Sequence, residues 1–464
     1  MITGIDVKIQ FLGATGTVTG SKYLVEAGDA GGRKDARLLV DCGLYQGVKQ
    51  LRLRNWSPPP MALAELDAIV LTHAHIDHTG YLPALVRDGY EGPIYCTPPT
   101  LALCRILLPD SARIHEEDAA YANRKGFSKH APALPLYTEK DAERTLERLV
   151  PLDFGKTHSL GALSFTIRPA GHILGAGSVA VHGPEGTILF SGDLGRDDDL
   201  LMRPPQTPGS PDWLVVESTY GDRRHPELDP IEEIARILNR TLERDGTLLV
   251  PTFAVARAQS LTYCLHEIFR RDLAPTVPVF LNSPMATRVT ELYKRYDAYH
   301  RLSSEQSAAV CGLPHFVRTV EDSKELTARG RFRGIVLSAS GMATGGRVLH
   351  HLKSLAPDAR NTILLPGFQA PGTRGEAIAS GREAVKIHGE YVPIRAEVVQ
   401  LDFLSAHADQ EGLLSWVGAC ERPPRRVFVT HGESLPSDLL RHGIQERFGF
   451  PAEVPAYRDE VVLD

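Results

Sequence analysis

Residues 72–78 read Thr-His-Ala-His-Ile-Asp-His, with three imidazoles and a carboxylate inside six positions. Imidazole nitrogen and carboxylate oxygen are the ligands zinc takes when no thiolate is offered. In an extended segment His73 and His75 point to the same side, so one metal ion could sit on both. Asp77 and His78 could face a second ion beside the first once the chain turns. Two divalent cations about 3.5–4 Å apart can lower the pKa of a bridging water and offset charge in a phosphoryl displacement. A lone histidine in a polar loop is usually a satisfied structural residue, but four ligand-type side chains in so short a stretch point to metal binding.

Such a cluster needs an element to deliver it. Ala68, Ile69, Val70 and Leu71 form an apolar run with no helical period, which predicts a short buried strand ending at the cluster. Ligand sites of open α/β sheets lie beyond the carboxyl ends of strands. Other runs end in the same way. Leu38, Leu39 and Val40 precede Asp41, with a glycine-rich turn over residues 28–32 before them. Residues 165–168 precede His172, residues 187–190 precede Asp193, and residues 213–216 precede Glu217. Near the C-terminus, residues 398–403 lead to Ser405, Ala406 and His407, and residues 426–430 lead to His431. One strand ending on a charged residue means little; this many in succession suggest a shared rim.

The texture changes near residue 222. Helical and extended runs then alternate, which implies a parallel sheet covered on both faces, a second α/β domain. Within it, residues 338–347 form a glycine-rich strand-to-helix turn, and such turns present backbone N–H groups to anions. Residues 100–148 are polar and helix-prone; their charges read as a solvated face, and His115 is not counted as a ligand. Because ligand-type strand ends recur after this stretch, we expect a first domain at residues 1–221, an inserted domain at 222–395, and completion of the first by 396–464.

A chain of 464 residues exceeds one ordinary core, and its 42% hydrophobic and 23% charged content is that of a globular protein. The net charge of −6 offers no global attraction to nucleic acid, so RNA would need a local basic surface. No run reaches membrane-spanning length, and no leader pattern opens the chain. Six scattered cysteines without C-x-x-C spacing suit a reducing cytoplasm and argue against a cysteine zinc site.

Taken together, the motifs resemble the β-CASP branch of the metallo-β-lactamase superfamily. The resemblance rests on V-D-C-G at Asp41, H-x-H-x-D-H at His73, E-S-T-Y-G-D-R-R-H from Glu217 and N-S-P-M-A from Asn282. It continues through S-A-S-G-M from Ser338, S-A-H-A-D from Ser405 and T-H-G-E from Thr430. The chain is most similar to the stand-alone prokaryotic ribonucleases of that branch. The resemblance implies an α/β fold: a metallo-β-lactamase αββα sandwich with an inserted parallel-sheet β-CASP domain. It implies two zinc ions per chain, with Mn²⁺ left open. One would be held by His73, His75, His172 and Asp193, the other by Asp77, His78, Asp193 and His431, with Asp193 and a hydroxide bridging. Asp41 would support the ligands from behind, and His407, oriented by Glu217, would donate a proton. A histidine at position 431 favours RNA over DNA by the same analogy.

What the resemblance implies is a zinc-dependent ribonuclease that hydrolyses phosphodiesters of single-stranded RNA in a cleft facing the metals, as a single chain or a homodimer. No RNA-binding extension or long C-terminal assembly domain is expected. The candidate RNA contacts are Ser338, Gly341, Met342, Arg347, Arg374, Ser405 and Ala406. Two positions depart from the pattern: Asn282 where aspartate is common, and Glu376 where arginine is common. The competing readings are a thioesterase-like small-molecule hydrolase of the same fold and an inactive RNA-binding scaffold. The first leaves the insertion, His407 and His431 without a task. The second typically loses metal ligands, and none is missing here.

Overall fold

The computed structural model describes residues 5–29, 34–126, 128–401 and 404–464. The turn expected over residues 28–32 falls mostly outside these, as do Asp402 and Phe403 before His407. The chain divides into two compact units. One comprises Met1–Asp199, Arg203–Arg224 and His407–Asp464, the other Leu200–Met202 and His225–Ala406.

In the first unit the described residues form two seven-stranded sheets whose apolar faces share one core. Phe11, Val25, Leu38 and Val70 of one sheet meet Phe165, Val179, Phe190 and Phe428 of the other. The Phe11 ring lies 5.1 Å from Phe428, and Tyr23 lies 5.5 Å from Phe190. Strand Ala68–Val70 runs parallel between Lys34–Val40 and Ile94–Cys96. All three of its residues are buried, and so it reads as a continuous apolar run and not as an alternating one. The C-terminal residues enter both sheets. Glu460–Leu463 pairs antiparallel with Ile5–Phe11, and Arg426–Thr430 runs parallel to Trp213–Glu217.

In the second unit the described residues form a six-stranded sheet, paired in parallel throughout, with a separate two-stranded hairpin. Along Thr247–Pro251, Leu248 and Val250 face one apolar cluster and Leu249 the other, the period of two that a strand buried on both faces requires. Helix Pro230–Glu243 covers the first face with Ile231, Ile234, Ile237 and Leu238. Helix Val348–Leu355 covers the second with Val348, Leu349, Leu352 and Leu355. The units' limits differ from 1–221, 222–395 and 396–464. Strand Glu397–Gln400 pairs with Thr362–Leu365 and so lies in the second unit. Leu201 joins it as well, accepting a 2.8 Å hydrogen bond from the Arg301 N–H.

Candidate metal centre

Register brings the ligand-type residues of the first unit together. Val40 lies opposite Val70 in parallel strands, so Asp41 leaves its strand beside residues 72–78. Asp41 then adopts φ +60°, a left-handed conformation that aspartate tolerates better than most residues. Its N–H donates to the Val70 carbonyl at 2.9 Å. Helix Ile76–Thr79 begins directly after His75 and turns Asp77 and His78 toward the rim. In the second sheet Phe190 pairs with Val215 and Glu217 with Thr430, so Asp193, Glu217 and His431 emerge at one edge. His172 follows Gly171, which bridges to Leu194 beside Asp193.

Two groups of donors result. His73, His75, His172 and Asp193 bring ligand atoms within 4.8 Å of one another, and so do Asp77, His78 and His431. Asp193 reaches both. Its Oδ2 lies 3.4 Å from His73 Nε2 and 3.6 Å from His172 Nε2, and its Oδ1 lies 3.2 Å from His78 Nε2. Within the groups, ring nitrogens face each other: His73 Nε2 and His75 Nδ1 at 3.1 Å, His172 Nε2 and His75 Nδ1 at 3.2 Å, His78 Nε2 and His431 Nε2 at 3.1 Å.

The other nitrogen of three rings is tied back, and this sets the tautomer. Asp41 Oδ1 accepts the Thr72 N–H, and Oδ2 accepts both the Thr72 hydroxyl and His78 Nδ1, each at 2.8 Å. The Thr72 oxygen in turn accepts His73 Nδ1 at 3.1 Å, and Thr219 Oγ1 accepts His431 Nδ1 at 3.2 Å. The Nε2 atoms of His73, His78 and His431 therefore face into the groups. Burial, and then the charge on His78, hold the His73 ring well below its usual pKa, which keeps it neutral. Burial opposes charge on Asp77, but its hydrogen bond to His431 and the charge on His78 outweigh that and bring the carboxyl down to about 2. Asp193 Oδ1 is fully buried and accepts no well-formed hydrogen bond. Convergent imidazole nitrogens around an unsatisfied buried carboxylate oxygen fit divalent cations, and their nitrogen and oxygen character suits zinc.

His407 stands beside the centre. Its Nδ1 is 3.2 Å from Glu217 Oε1, and its Nε2 is 4.0 Å from Asp193 Oδ2. Asp193, Glu217 and His407 also bring ligand atoms within 4.8 Å. Glu217 is committed elsewhere, however: Oε1 also accepts the Leu194 N–H at 2.7 Å and Oε2 the Thr219 N–H at 3.2 Å. Burial works against a charged His407 ring, but the Glu217 carboxylate, with Asp193 and Asp77 behind it, raises its pKa to about 9. The side chain stays 19% exposed.

The seven residues expected to touch RNA all lie in the second unit. Ser338 is buried at a strand end, and its hydroxyl donates to the Asn282 carbonyl at 3.1 Å. Gly341 packs so closely that a Cβ would meet the Phe253 ring at 2.9 Å. The Met342 carbonyl accepts the Gly375 N–H at 2.9 Å. Arg347 donates to Asn282 Oδ1 and the Val317 carbonyl, both at 2.9 Å. Arg374 donates to the carbonyls of Lys386 at 2.7 Å and Thr344 at 3.0 Å. Ser405 is buried and Ala406 half-buried. Asn282 also donates to Ser323 and lies 2.7 Å from His351 Nε2, so its amide joins these two to the Arg347 guanidinium. Glu376 sits in the first turn of helix Arg374–Ala379, where negative charge is favoured. The sequence reading gave no role to Thr72 or Thr219. Each lies within a quoted motif, but neither side chain is a ligand type, so their part is visible only in the hydrogen bonds.

Three family profiles match the chain: a Beta-lactamase superfamily domain at residues 36–250, a Beta-Casp domain at 258–378, and a Zn-dependent metallo-hydrolase RNA specificity domain at 391–455. The chain is 39% identical over 437 residues to ribonuclease TTHA0252 of Thermus thermophilus, covering 92% of this chain and 93% of that one. It is 30% identical to transcription termination factor FttA of Methanocaldococcus jannaschii, covering 97% of this chain and 72% of that one. A crystal structure of a protein of unknown function from Enterococcus faecalis has the same fold, with a TM-score of 0.54 at 17% identity over 99% of this chain and 100% of that one.

Proposed function

Because this chain belongs to the β-CASP branch of the metallo-β-lactamase superfamily, we propose that it hydrolyses phosphodiester bonds of single-stranded RNA with two zinc ions. As a member it is a metal-dependent hydrolase. The observation that carries the reading is Asp193, whose two oxygens face two donor groups at once. In this reading His73, His75, His172 and Asp193 hold one ion, and Asp77, His78, Asp193 and His431 hold the other, Mn²⁺ being an alternative to Zn²⁺. When bound, such ions polarise phosphoryl oxygens and make water nucleophilic near neutral pH.

The protein's own groups supply the rest. Asp41, Thr72 and Thr219 hold three imidazoles with the correct nitrogen inward. His407 gives its Nε2 proton to the departing ribose oxygen, a strongly basic leaving group. Glu217 keeps that ring charged and oriented through Nδ1. RNA as substrate is supported by the relative named ribonuclease and by the RNA specificity profile at the C-terminal end. Among the described residues no helix is long and apolar enough to cross a membrane. We place the protein in the cytoplasm on its six scattered cysteines, whose spacing suits a reducing compartment. Metal analysis of the purified protein combined with an RNA degradation assay tests the reading. Metal-bound protein that degrades RNA is expected, and protein that holds no metal under any reconstitution would overturn it.

A further inference from the structure

An acidic chain that takes RNA needs a local basic surface. The arginines expected to supply it, Arg347 and Arg374, already donate to protein carbonyls. A different basic stretch lies in the first unit. From Cys42 to Ala64 the sequence holds Lys49, Arg52 and Arg54 and no acidic residue. At its centre is helix Lys49–Arg54, none of whose residues is buried. So short a helix does not stand on its own hydrogen bonds, so its flanks must hold it. Asn55 is buried and exchanges two bonds with Tyr45, accepting its N–H at 3.0 Å and donating to its carbonyl at 2.7 Å. The Arg54 guanidinium stacks on Tyr45 at 5.3 Å and Tyr457 at 4.3 Å, and the Tyr45 ring rests on the buried Lys22 ammonium at 4.9 Å. Ahead of the helix, the Gln46 N–H donates to Thr19 Oγ1 at 2.9 Å.

This lobe springs from the wall of the metal centre. The Cys42 N–H donates to the His78 carbonyl at 2.8 Å and the Leu44 N–H to the Ile76 carbonyl at 2.9 Å. Residues 42–44 therefore lie along helix Ile76–Thr79, which carries Asp77 and His78. Lys49 is five residues beyond Leu44, a reach of at most about 18 Å. A strand held at the centre meets the helix within a few nucleotides.

Arg54 and Asn55 are spent on fastening the lobe; the other side chains are not. At about 100° per residue, Lys49, Arg52, Leu53 and Trp56 share one helix face. The Trp56 N–H donates to the Leu53 carbonyl at 3.1 Å, so the turn continues as far as Trp56. Trp56 is 58% exposed and Leu53 54%. Among the described residues no ring or cation stacks on Trp56, and neither Lys49 nor Arg52 forms an ion pair, whereas Arg87, Arg113, Arg223 and Arg236 each have a carboxylate partner. Cations for phosphates beside an open aromatic face for a base are the parts with which proteins hold single strands. Two other occupants fit less well. A two-fold contact of this face with itself would set Lys49 and Arg52 against their own copies. A helix of six residues offers an anionic membrane little apolar area.

We infer that helix Lys49–Arg54 and Trp56 form the surface on which single-stranded RNA lies next to the metal centre, its phosphates on Lys49 and Arg52 and one base stacked on Trp56. The inference rests on the RNA reading above and names where the strand is held outside the centre.

The test compares the metal-loaded full chain with K49Q/R52Q, Trp56→Ala and Trp56→Phe, in cleavage of a long single-stranded RNA and of a dinucleotide. K49Q/R52Q is expected to raise KM on the long RNA by about tenfold with kcat retained, and to reduce the salt slope of affinity by about 0.7 for each cation lost. Trp56→Ala should raise KM by about fivefold or more, and Trp56→Phe should restore most of that loss. On the dinucleotide, too short to reach the helix, the losses should shrink. Of the three tryptophans, Trp213 and Trp416 are buried. Quenching of emission by a slowly cut phosphorothioate RNA therefore reports stacking on Trp56, and Trp56→Phe should abolish it. Wild type that neither binds nor cleaves RNA overturns the hydrolase reading and this surface with it. Wild type that cleaves RNA, equalled by K49Q/R52Q and Trp56→Ala on the long substrate, overturns the surface alone. Quenching by phosphatidylserine vesicles and not by RNA assigns the face to a membrane and overturns the RNA assignment. So does a dimer that Leu53→Asp converts to a monomer with RNA affinity intact, which assigns the face to a second copy.

Discussion

His78 Nδ1 lies 2.8 Å from Asp41 Oδ2, and the same oxygen accepts the Thr72 hydroxyl that holds His73. One buried anion behind the rim thus sets the tautomers of two imidazoles, one in each donor group. An asparagine can take the same left-handed backbone but offers one acceptor where two are used. Asp41→Asn should keep the fold and lower metal affinity by about 10–100-fold, read by competition with a chelator. Wild-type affinity in the variant would remove this role.

Asp193 faces both groups, while His75 faces only one. Asp193→Asn is therefore expected to disturb both bound ions and His75→Ala chiefly one, measured as metal per chain. Loss of the same number in both variants would count against a shared carboxylate.

His407→Ala should retain metal and lose about two to four powers of ten on RNA. On bis(p-nitrophenyl) phosphate, whose leaving group needs no proton, the loss should be far smaller. A variant that loses both activities equally, or loses metal, has lost something other than a general acid.

The raised pKa of His407 fixes the sign of a pH effect. A ring shifted up to about 9 carries its proton at neutral pH and gives it up as pH rises through the shifted value. RNA cleavage should accordingly fall on its alkaline side, with nearby divalent ions drawing the limb below that value by repelling the imidazolium. Glu217→Gln removes the largest charge favouring the protonated ring, so the limb should move to lower pH. A kcat/KM profile whose alkaline limb stays put in Glu217→Gln would dissociate the limb from this pair.

Arg347 and Arg374 are hydrogen-bonded to protein carbonyls, and Arg347 also to the Asn282 side chain. If either also contacts a phosphate, its alanine variant should reduce the slope of log affinity for single-stranded RNA against log salt by about 0.7. An unchanged slope with a lower melting temperature would identify the arginines as builders of the glycine-rich turn alone.

The sequence by itself determined the strands and the donors. Val70 and its neighbours are apolar without a helical period, and His73, His75, Asp77 and His78 stand within one short stretch whatever the fold does. Strand ends carrying His172, Asp193, Glu217 and His431 were legible for the same reason, since apolar runs and the residues that end them are local properties. Distance between them was not. Asp193 meets His73 and His78 because register aligns strand ends within each sheet and the two sheets pack over one core, and neither pairing partners nor sheet packing is named by a local pattern. The exit of Asp41 at positive φ, the tethering of His431 by Thr219, and the occupation of Arg347 by Asn282 are likewise decisions of the tertiary structure. Lys22 shows the limit most clearly. In the sequence it is one lysine after Ser21, just ahead of strand Tyr23–Asp29; only packing reveals it as an ammonium enclosed by two rings and facing no carboxylate. Burial of a charge is a property of everything around it, and that is not written at any single position.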